Sequence, residues 1–113
     1  MIKAMTSSPL PPPILPYIEA VNAADIDKAS ACFAPEAVVH DEGRDHAGAP
    51  AIRSWLEETG RKYAPQLAAT GAVERDGQVL APVTVSGNFP GSPADLTFAF
   101  TLAGGKITAL HIS

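Results

Sequence analysis

The apolar positions along the chain change their period near Pro65, from a helical spacing to an alternating one. Pro16 is compatible with the first of the expected helices because it falls in the first turn. Asp25 is expected to cap the second helix, and Ala34-Pro35 to end it. The third helix is expected to begin at Gly48-Ala49-Pro50. The apolar stripes that predict these helices are Ile14, Tyr17, Ile18 and Val21; Ile26, Ala29 and Phe33; and Ile52, Trp55, Leu56, Thr59 and Tyr63.

A short β-branched segment lies between the second and third helices. Its residues Ala37 to Asp41 predict a strand that is buried for most of its length. Glu42-Gly43 then predicts a turn, and Arg44 to Ala47 is expected to pair back on the strand.

After Pro65 the alternation predicts a run of antiparallel strands. Asp76-Gly77 and Gly104-Gly105 are hairpin signals, because the tight turns that join two strands need positive φ at their centres. Pro82 predicts an edge strand or a bulge, since proline cannot donate a hydrogen bond to a neighbouring strand. The predicted strands are Leu67 to Arg75, Val79 to Ser86, Leu96 to Leu102, and Ile107 to Ile112.

Three helices and four long strands in 113 residues predict one domain. We expect an α+β fold over residues 14–113, with the helices on one face of a curved antiparallel sheet and an apolar pocket between them. Residues 1–13, rich in proline, predict an extended lead-in to the first helix.

Composition excludes several kinds of partner. The formal net charge of -4, with no run of Lys or Arg, argues against binding to nucleic acid or to anionic lipid. No stretch is apolar enough to span a membrane and no signal peptide is visible, so we expect a cytoplasmic protein. Cys32 is the only cysteine, and we interpret it as a buried structural thiol. No phosphate loop or dinucleotide motif is present, and we expect no cofactor.

Three segments carry a family resemblance: Tyr17 to Ile26, Cys32 to Asp41, and Gly48 to Trp55. Together they resemble the opening of the nuclear transport factor two-like superfamily, in its SnoaL-like polyketide cyclase and ketosteroid isomerase branch. The resemblance extends over Tyr17 to Ser113. It implies a cone-shaped curved sheet wrapped around the helices, a deep apolar pocket for a small hydrophobic molecule, and a homodimer formed through the outer face of the sheet.

Asp41 and Tyr17 are the candidate catalytic residues. Asp41 follows an apolar strand at the position that resembles the general base of ketosteroid isomerases, and its alternative role is to end the strand and cap the turn. Tyr17 resembles the phenol that donates to the developing oxyanion, and its alternative role is a core tyrosine. The expected pocket lining is Trp55, Phe33, Val83, Val85, Phe98, Phe100 and Leu110.

The chain also departs from the isomerase pattern. The second, protonated acidic donor of that branch corresponds to Phe98, and the tyrosines that buttress the first phenol correspond to Phe33 and Leu56. With a single donor, the oxyanion would lose on the order of 3 kcal/mol of stabilisation, so steroid isomerisation is not expected.

The histidines give no strong signal for chemistry. His40 is expected on the face opposite Asp41, because neighbouring strand residues alternate, and His111 is expected to face solvent or a partner. A metal site of His40, Asp41, Glu42 and His46 lacks any recognised ligand spacing, and we expect no metal.

Three functions remain open. The first is a cofactor-free isomerase, cyclase or dehydratase that acts on a small apolar carbonyl compound. The second is a protein that binds a small hydrophobic ligand without turnover. The third is a dimeric interaction module with a filled interior, in which Trp55 and Phe100 would close the cavity.

Overall fold

The structure is a computed structural model that describes residues 10–113; residues 1–9, the start of the predicted lead-in, lie outside it. The helices are α1 (Ile14–Asn22), α2 (Ile26–Ala31) and α3 (Ala49–Tyr63). The strands are β1 (Phe33–Asp41), β2 (Arg44–Ala47), β3 (Gln66–Ala69), β4 (Val73–Arg75), β5 (Gln78–Ser86), β6 (Ala94–Ala103) and β7 (Lys106–Ile112).

The strands form one curved sheet in the order β2-β1-β7-β6-β5-β3, and β4 also pairs with β5. The α+β class and the three helices are confirmed. The expectation of a purely antiparallel sheet needs one correction, because β1 runs parallel to β7 and the sheet is therefore mixed. Parallel pairing is possible there because a long segment, Glu42 to Gly105, connects these two strands, as a crossover requires.

The second helix ends earlier than the sequence predicted. It stops at Ala31, and Phe33 is the first residue of β1 rather than the last of a helical stripe. The Cys32 carbonyl accepts a hydrogen bond from the Ile107 amide at 2.8 Å, which joins the chain to β7 at this point. Pro35 favours the extended conformation of Ala34, so the strand continues through a position where we expected a helix end.

The predicted strand from Leu67 to Arg75 is divided into β3 and β4, and Pro82 lies opposite the interruption. The strand that carries Pro82 is internal, since it pairs with β6 on one side and with β3 and β4 on the other. The Pro82 carbonyl accepts from the Thr70 amide at 3.4 Å. The N–H and C=O of one residue point to the same side of an antiparallel strand. The side on which Pro82 lacks an amide hydrogen is therefore the side of β3 and β4, where the neighbouring strand is interrupted.

The core lies between the helices and the inner face of the sheet. Residues directly opposite one another in the register share a face, which groups the buried side chains into rows. The central row is buried along its whole length and consists of Val39, Leu110, Phe100 and Val79. The next row contains Phe98 and Ile112, and Asp41 lies at its end because it follows His40, the partner of His111.

The outer face of the sheet carries partly exposed small and apolar side chains. Val38 and Val73 are 37% and 57% exposed there. None of the helices of the described residues combines the length and hydropathy that crossing a bilayer requires.

Candidate active site

A cavity of about 730 Å³ lies between the three helices and one end of the sheet's inner face. This volume is within the range of sites that hold small organic molecules. Its walls are mostly apolar and come from all three helices, from the starts of β3 and β6, and from the ends of β1, β5 and β7. The interaction-module hypothesis required Trp55 and Phe100 to fill the interior, and the presence of this cavity shows that they do not.

Asp41 brings a carboxylate into this apolar cavity. It is the last residue of β1, where the Glu42-Gly43 turn redirects the chain with positive φ at both positions. Burial raises the pKa of Asp41, and the charge of the neighbouring Glu42 raises it further. The Trp55 hydrogen bond, the His46 side chain and a backbone hydrogen bond from Glu42 lower the pKa. Burial outweighs them, so the pKa of Asp41 is raised on balance. A carboxylate that is destabilised in this way is a better proton acceptor than a free one.

The Trp55 indole holds Asp41 in place. Its Nε1 donates to Asp41 Oδ2 at 3.1 Å, from the face of α3 that looks towards the sheet. A buried indole N–H needs an acceptor, and this contact fixes the carboxylate while one of its oxygens remains without a side-chain donor among the described residues. We interpret Trp55 as a positioning residue for Asp41.

Tyr17 places a phenol in the same cavity. It lies on the buried face of α1 and is only 2% exposed, with Phe33 and Phe100 packed edge-on against its ring at centroid distances of 5.5 and 6.0 Å. Burial, followed by the nearby charge of Asp41, raises the pKa of Tyr17, so the phenol stays protonated. None of the described residues accepts a hydrogen bond from its hydroxyl. Every fully buried polar side-chain atom of the described residues has a partner, so this hydroxyl is not fully buried and opens into the cavity that Tyr17 lines.

The predicted lining residues divide between the cavity wall and the core. Trp55, Val85 and Phe98 line the cavity, as do Asp41 and Tyr17. The other four predicted residues do not line the cavity and are buried in the core instead. Phe100 and Leu110 belong to the central row of the sheet, and Phe33 and Val83 lie elsewhere in the core.

The isomerase-like positions show why this site differs from that of the isomerases. Phe98 lies on the wall without a hydrogen-bond donor, and Leu56 also lines the cavity. Phe33 packs on the Tyr17 ring, where a hydroxyl would be needed to support the phenol. Among these isomerase-like positions, Tyr17 is therefore the one that offers a hydrogen-bond donor, in the same cavity as the Asp41 carboxylate.

The mouth of the cavity involves residues that the sequence did not identify. Glu42 accepts a hydrogen bond from the Tyr63 hydroxyl at 3.2 Å, and Phe89 packs edge-on against the Tyr63 ring at 5.9 Å. Gly87 allows the chain after β5 to lie close to the end of α3, because a Cβ at this position would be 2.5 Å from the Tyr63 carbonyl oxygen. Tyr63 was visible only as the end of the third helical stripe, and Phe89 as part of a turn.

The histidines do not form a site with Asp41. His40 lies on the outer face, where it contacts Asp45 at 2.6 Å and stacks on His111 at 4.4 Å. His46 is on the inner side, with its ring 5.9 Å from that of Trp55. Over residues 10–113 no group of three or more His, Cys, Asp and Glu side chains is arranged to hold a metal ion.

The fold and the cavity agree with the comparison to known families. The family model of the SnoaL-like domain matches residues 14–110. The chain belongs to the SnoaL-like domain family. No curated protein sequence matches it significantly.

Solved structures extend this assignment. A candidate polyketide cyclase of Sinorhizobium meliloti is 36% identical and superposes with a TM-score of 0.88, over 92% of this chain and 95% of that one. A nuclear transport factor two-like protein of Cytophaga hutchinsonii is 17% identical (TM-score 0.75; 88% and 84% covered). A protein of Catenulispora acidiphila with a ketosteroid isomerase-like fold, solved with trimethylamine, is also 17% identical (TM-score 0.77; 88% and 82% covered). The last two likenesses show that the SnoaL-like domain shares their fold.

Proposed function

We propose that this SnoaL-like domain binds a small apolar carbonyl compound in its cavity and converts it by cofactor-free acid/base chemistry, as an isomerase, cyclase or dehydratase. The observation that carries the proposal is that Asp41 and the open hydroxyl of Tyr17 face the same apolar cavity. The likeness to the Sinorhizobium meliloti candidate polyketide cyclase supports this type of reaction.

The two residues have complementary roles in this mechanism. Asp41 removes a proton from the carbon next to the substrate carbonyl, and Tyr17 donates a hydrogen bond to the carbonyl oxygen as that oxygen becomes negative. Trp55 keeps Asp41 oriented, while the apolar walls exclude water from both groups. Asp41 then returns the proton to the substrate at a different atom, or to a leaving group.

Deuterium exchange tests this mechanism without knowledge of the natural substrate. In D2O, a panel of small apolar ketones and enones is followed by proton NMR for loss of the hydrogens next to the carbonyl. We expect the wild type to exchange them faster than buffer does and Asp41→Asn to fall to the buffer rate. Tyr17→Phe is expected to slow exchange by roughly 10²–10³-fold, the usual effect of removing one oxyanion donor.

The same panel separates catalysis from simple binding. Trp55 is the only tryptophan and lies on the cavity wall, so its fluorescence reports occupancy. Ketones that perturb Trp55 and show equal exchange in wild type and Asp41→Asn would contradict catalysis by Asp41. They would favour the second candidate function, non-catalytic binding, which the Phe98 wall and the single donor already support.

We also propose that the domain forms a homodimer through the outer face of its sheet. Val38 and Val73 are exposed there, and the small side chain of Ala99 lies opposite both Leu80 and His111 in the register. An exposed sheet face with apolar and small side chains is suited to close contact with a second copy. A cytoplasmic location stays a prediction from the sequence.

A further inference from the structure

The charged side chains around the cavity are mostly carboxylates. The lining includes four acidic residues and one basic residue, Arg61, so it carries three more negative than positive charges among the described residues. No salt bridge there joins Arg61 to a carboxylate of the lining. The four acidic residues are Asp25, Asp41, Glu42 and Glu57.

A neighbouring arginine does not remove this excess. Arg53, outside the lining, contacts Glu57 at 3.6 Å but also Asp27 at 2.6 Å. The Arg53 guanidinium is therefore shared by two carboxylates, so Arg53, Asp27 and Glu57 together keep a negative charge. The cavity keeps an acidic surrounding from α3 to the turn after β1.

The carboxylates are placed where a ligand would meet them. Glu42 is held at the mouth by the Tyr63 hydroxyl, and Asp41, at the end of β1, is half-buried. Charges that face an apolar cavity are screened less than charges in bulk water. An anionic ligand would therefore meet repulsion in addition to the loss of its own hydration.

The carboxylates favour a ligand without negative charge, and Tyr17 adds a second requirement, a hydrogen-bond acceptor on the ligand. The side chain of Tyr17 is only 2% exposed. Its hydroxyl has no acceptor among the described residues and opens into the cavity. A bound ligand is expected to supply that acceptor. The acceptor must satisfy the phenol without bringing a negative charge towards Asp41.

We infer that the cavity selects ligands whose acceptor is an uncharged carbonyl oxygen and rejects carboxylates and phosphates, with Glu42 and Glu57 as specificity-determining residues. This inference rests on the proposed function, because it concerns the same cavity, and it narrows the substrates to neutral ketones, enones, esters or amides. Acidic metabolites of the same size are excluded.

Quenching of Trp55 fluorescence tests the charge selection directly. Acrylamide is neutral and iodide is an anion, and iodide is the smaller of the two, so size alone cannot keep it out where acrylamide enters. The measurement is made at constant ionic strength and about pH 8, where a free imidazole is uncharged. Quenching by each compound is expressed relative to its quenching of free tryptophan. We expect iodide to quench Trp55 roughly tenfold less than acrylamide does.

Two double variants with the same change in net charge identify the cause. Glu42→Gln/Glu57→Gln removes two charges from the lining, whereas Glu36→Gln/Glu74→Gln removes two exposed charges outside it. Iodide quenching should rise several-fold in the first variant and remain at the wild-type level in the second. Equal quenching by iodide and acrylamide in the wild type, or an equal response of the two variants, would overturn the inference.

A matched pair of ligands gives a second readout. Cyclohexylacetamide and cyclohexylacetate have the same shape and differ in charge, and neither absorbs where tryptophan does. We expect the amide to bind at least about tenfold more tightly than the carboxylate in the wild type, and the difference to narrow in Glu42→Gln/Glu57→Gln. Equal affinities would overturn the inference. Absence of deuterium exchange would defeat the proposed catalysis and leave both charge measurements intact.

Discussion

At the scale of single residues, Asp41 combines opposing influences. Burial raises its pKa, and the Trp55 hydrogen bond lowers it without cancelling the effect of burial. The sequence could predict that a carboxylate follows an apolar strand, and the resemblance suggested a catalytic role for it, which stays a proposal. The Trp55 contact could not be predicted, because it depends on how α3 lies across the sheet, 14 positions further along the chain.

A group whose pKa is raised by folding reduces stability while it is charged. Asp41 is protonated in both folded and unfolded chains well below the ordinary value of about 3.9, so it has no effect there. As the pH rises through that value and then through the higher folded value, the unfolded state loses its proton first and stability falls. We therefore expect Asp41→Asn to have a higher Tm than the wild type near neutral pH, and no such gain near pH 3.

Thermal unfolding followed by circular dichroism at several pH values measures this difference. Glu36→Gln, an exposed change of the same kind on the same strand, is the matched control and should leave Tm nearly unchanged throughout. A variant Asp41→Asn that is less stable than the wild type at neutral pH would mean that the carboxylate is stabilised by its surroundings rather than desolvated.

At the scale of elements, the end of α3 and the end of β5 form the cavity mouth. The Asn88 amide donates to the Tyr63 carbonyl at 2.7 Å, and this contact depends on Gly87 beside it. The alternating apolar positions predicted β5 to β7 well, because each strand buries one face. They could not predict the division of β3 from β4 or the early end of α2, which depend on pairing with distant strands.

Two glycines that differ in their surroundings test the packing at the mouth. A Cβ at Gly87 would lie 2.5 Å from the Tyr63 carbonyl oxygen, which is backbone and cannot move freely. We expect Gly87→Ala to lower the free energy of unfolding by about 1–3 kcal/mol. A Cβ at Gly60, within α3, would meet Ile26 Cδ1 at 3.9 Å, an ordinary contact.

Gly60→Ala is therefore the matched comparison and is expected to stabilise the domain by roughly 0.5–1 kcal/mol, since alanine is the better helix former. Urea unfolding measures both values. If Gly87→Ala were as stable as the wild type, β5 and α3 would have to be further apart than the structure places them.

At the scale of the whole molecule, the helices cover one face of the sheet and leave the other free. The order of helices and strands, together with the family resemblance, predicted the α+β fold and its curved sheet. The lining was predicted only in part, because alternation tells which face a side chain occupies and not whether a helix covers it. Phe98 and Phe100 are two positions apart on one face of β6, yet Phe98 lines the cavity and Phe100 lies in the core.

The proposed dimer places a second copy on the free face of the sheet. Ala99 lies in the middle strands of that face, so Ala99→Lys should convert the dimer to a monomer by placing a charge within the contact. Ala103→Lys, at the exposed hairpin end of β6, is the control and should remain dimeric. Light scattering coupled to gel filtration gives the mass directly, and a monomeric wild type would contradict this interface.

The central claim is that Asp41 is a desolvated carboxylate in a cavity built for a neutral ligand, and its titration tests that claim most directly. Carboxyl-carbon NMR of the labelled protein gives the pKa, with Asp41→Asn to assign the signal. We expect a pKa above the roughly 3.9 of a free aspartate, and a further rise in Trp55→Phe, which removes a hydrogen bond that lowers the pKa. A pKa at or below that value would show a solvated or hydrogen-bonded structural residue and would contradict the account.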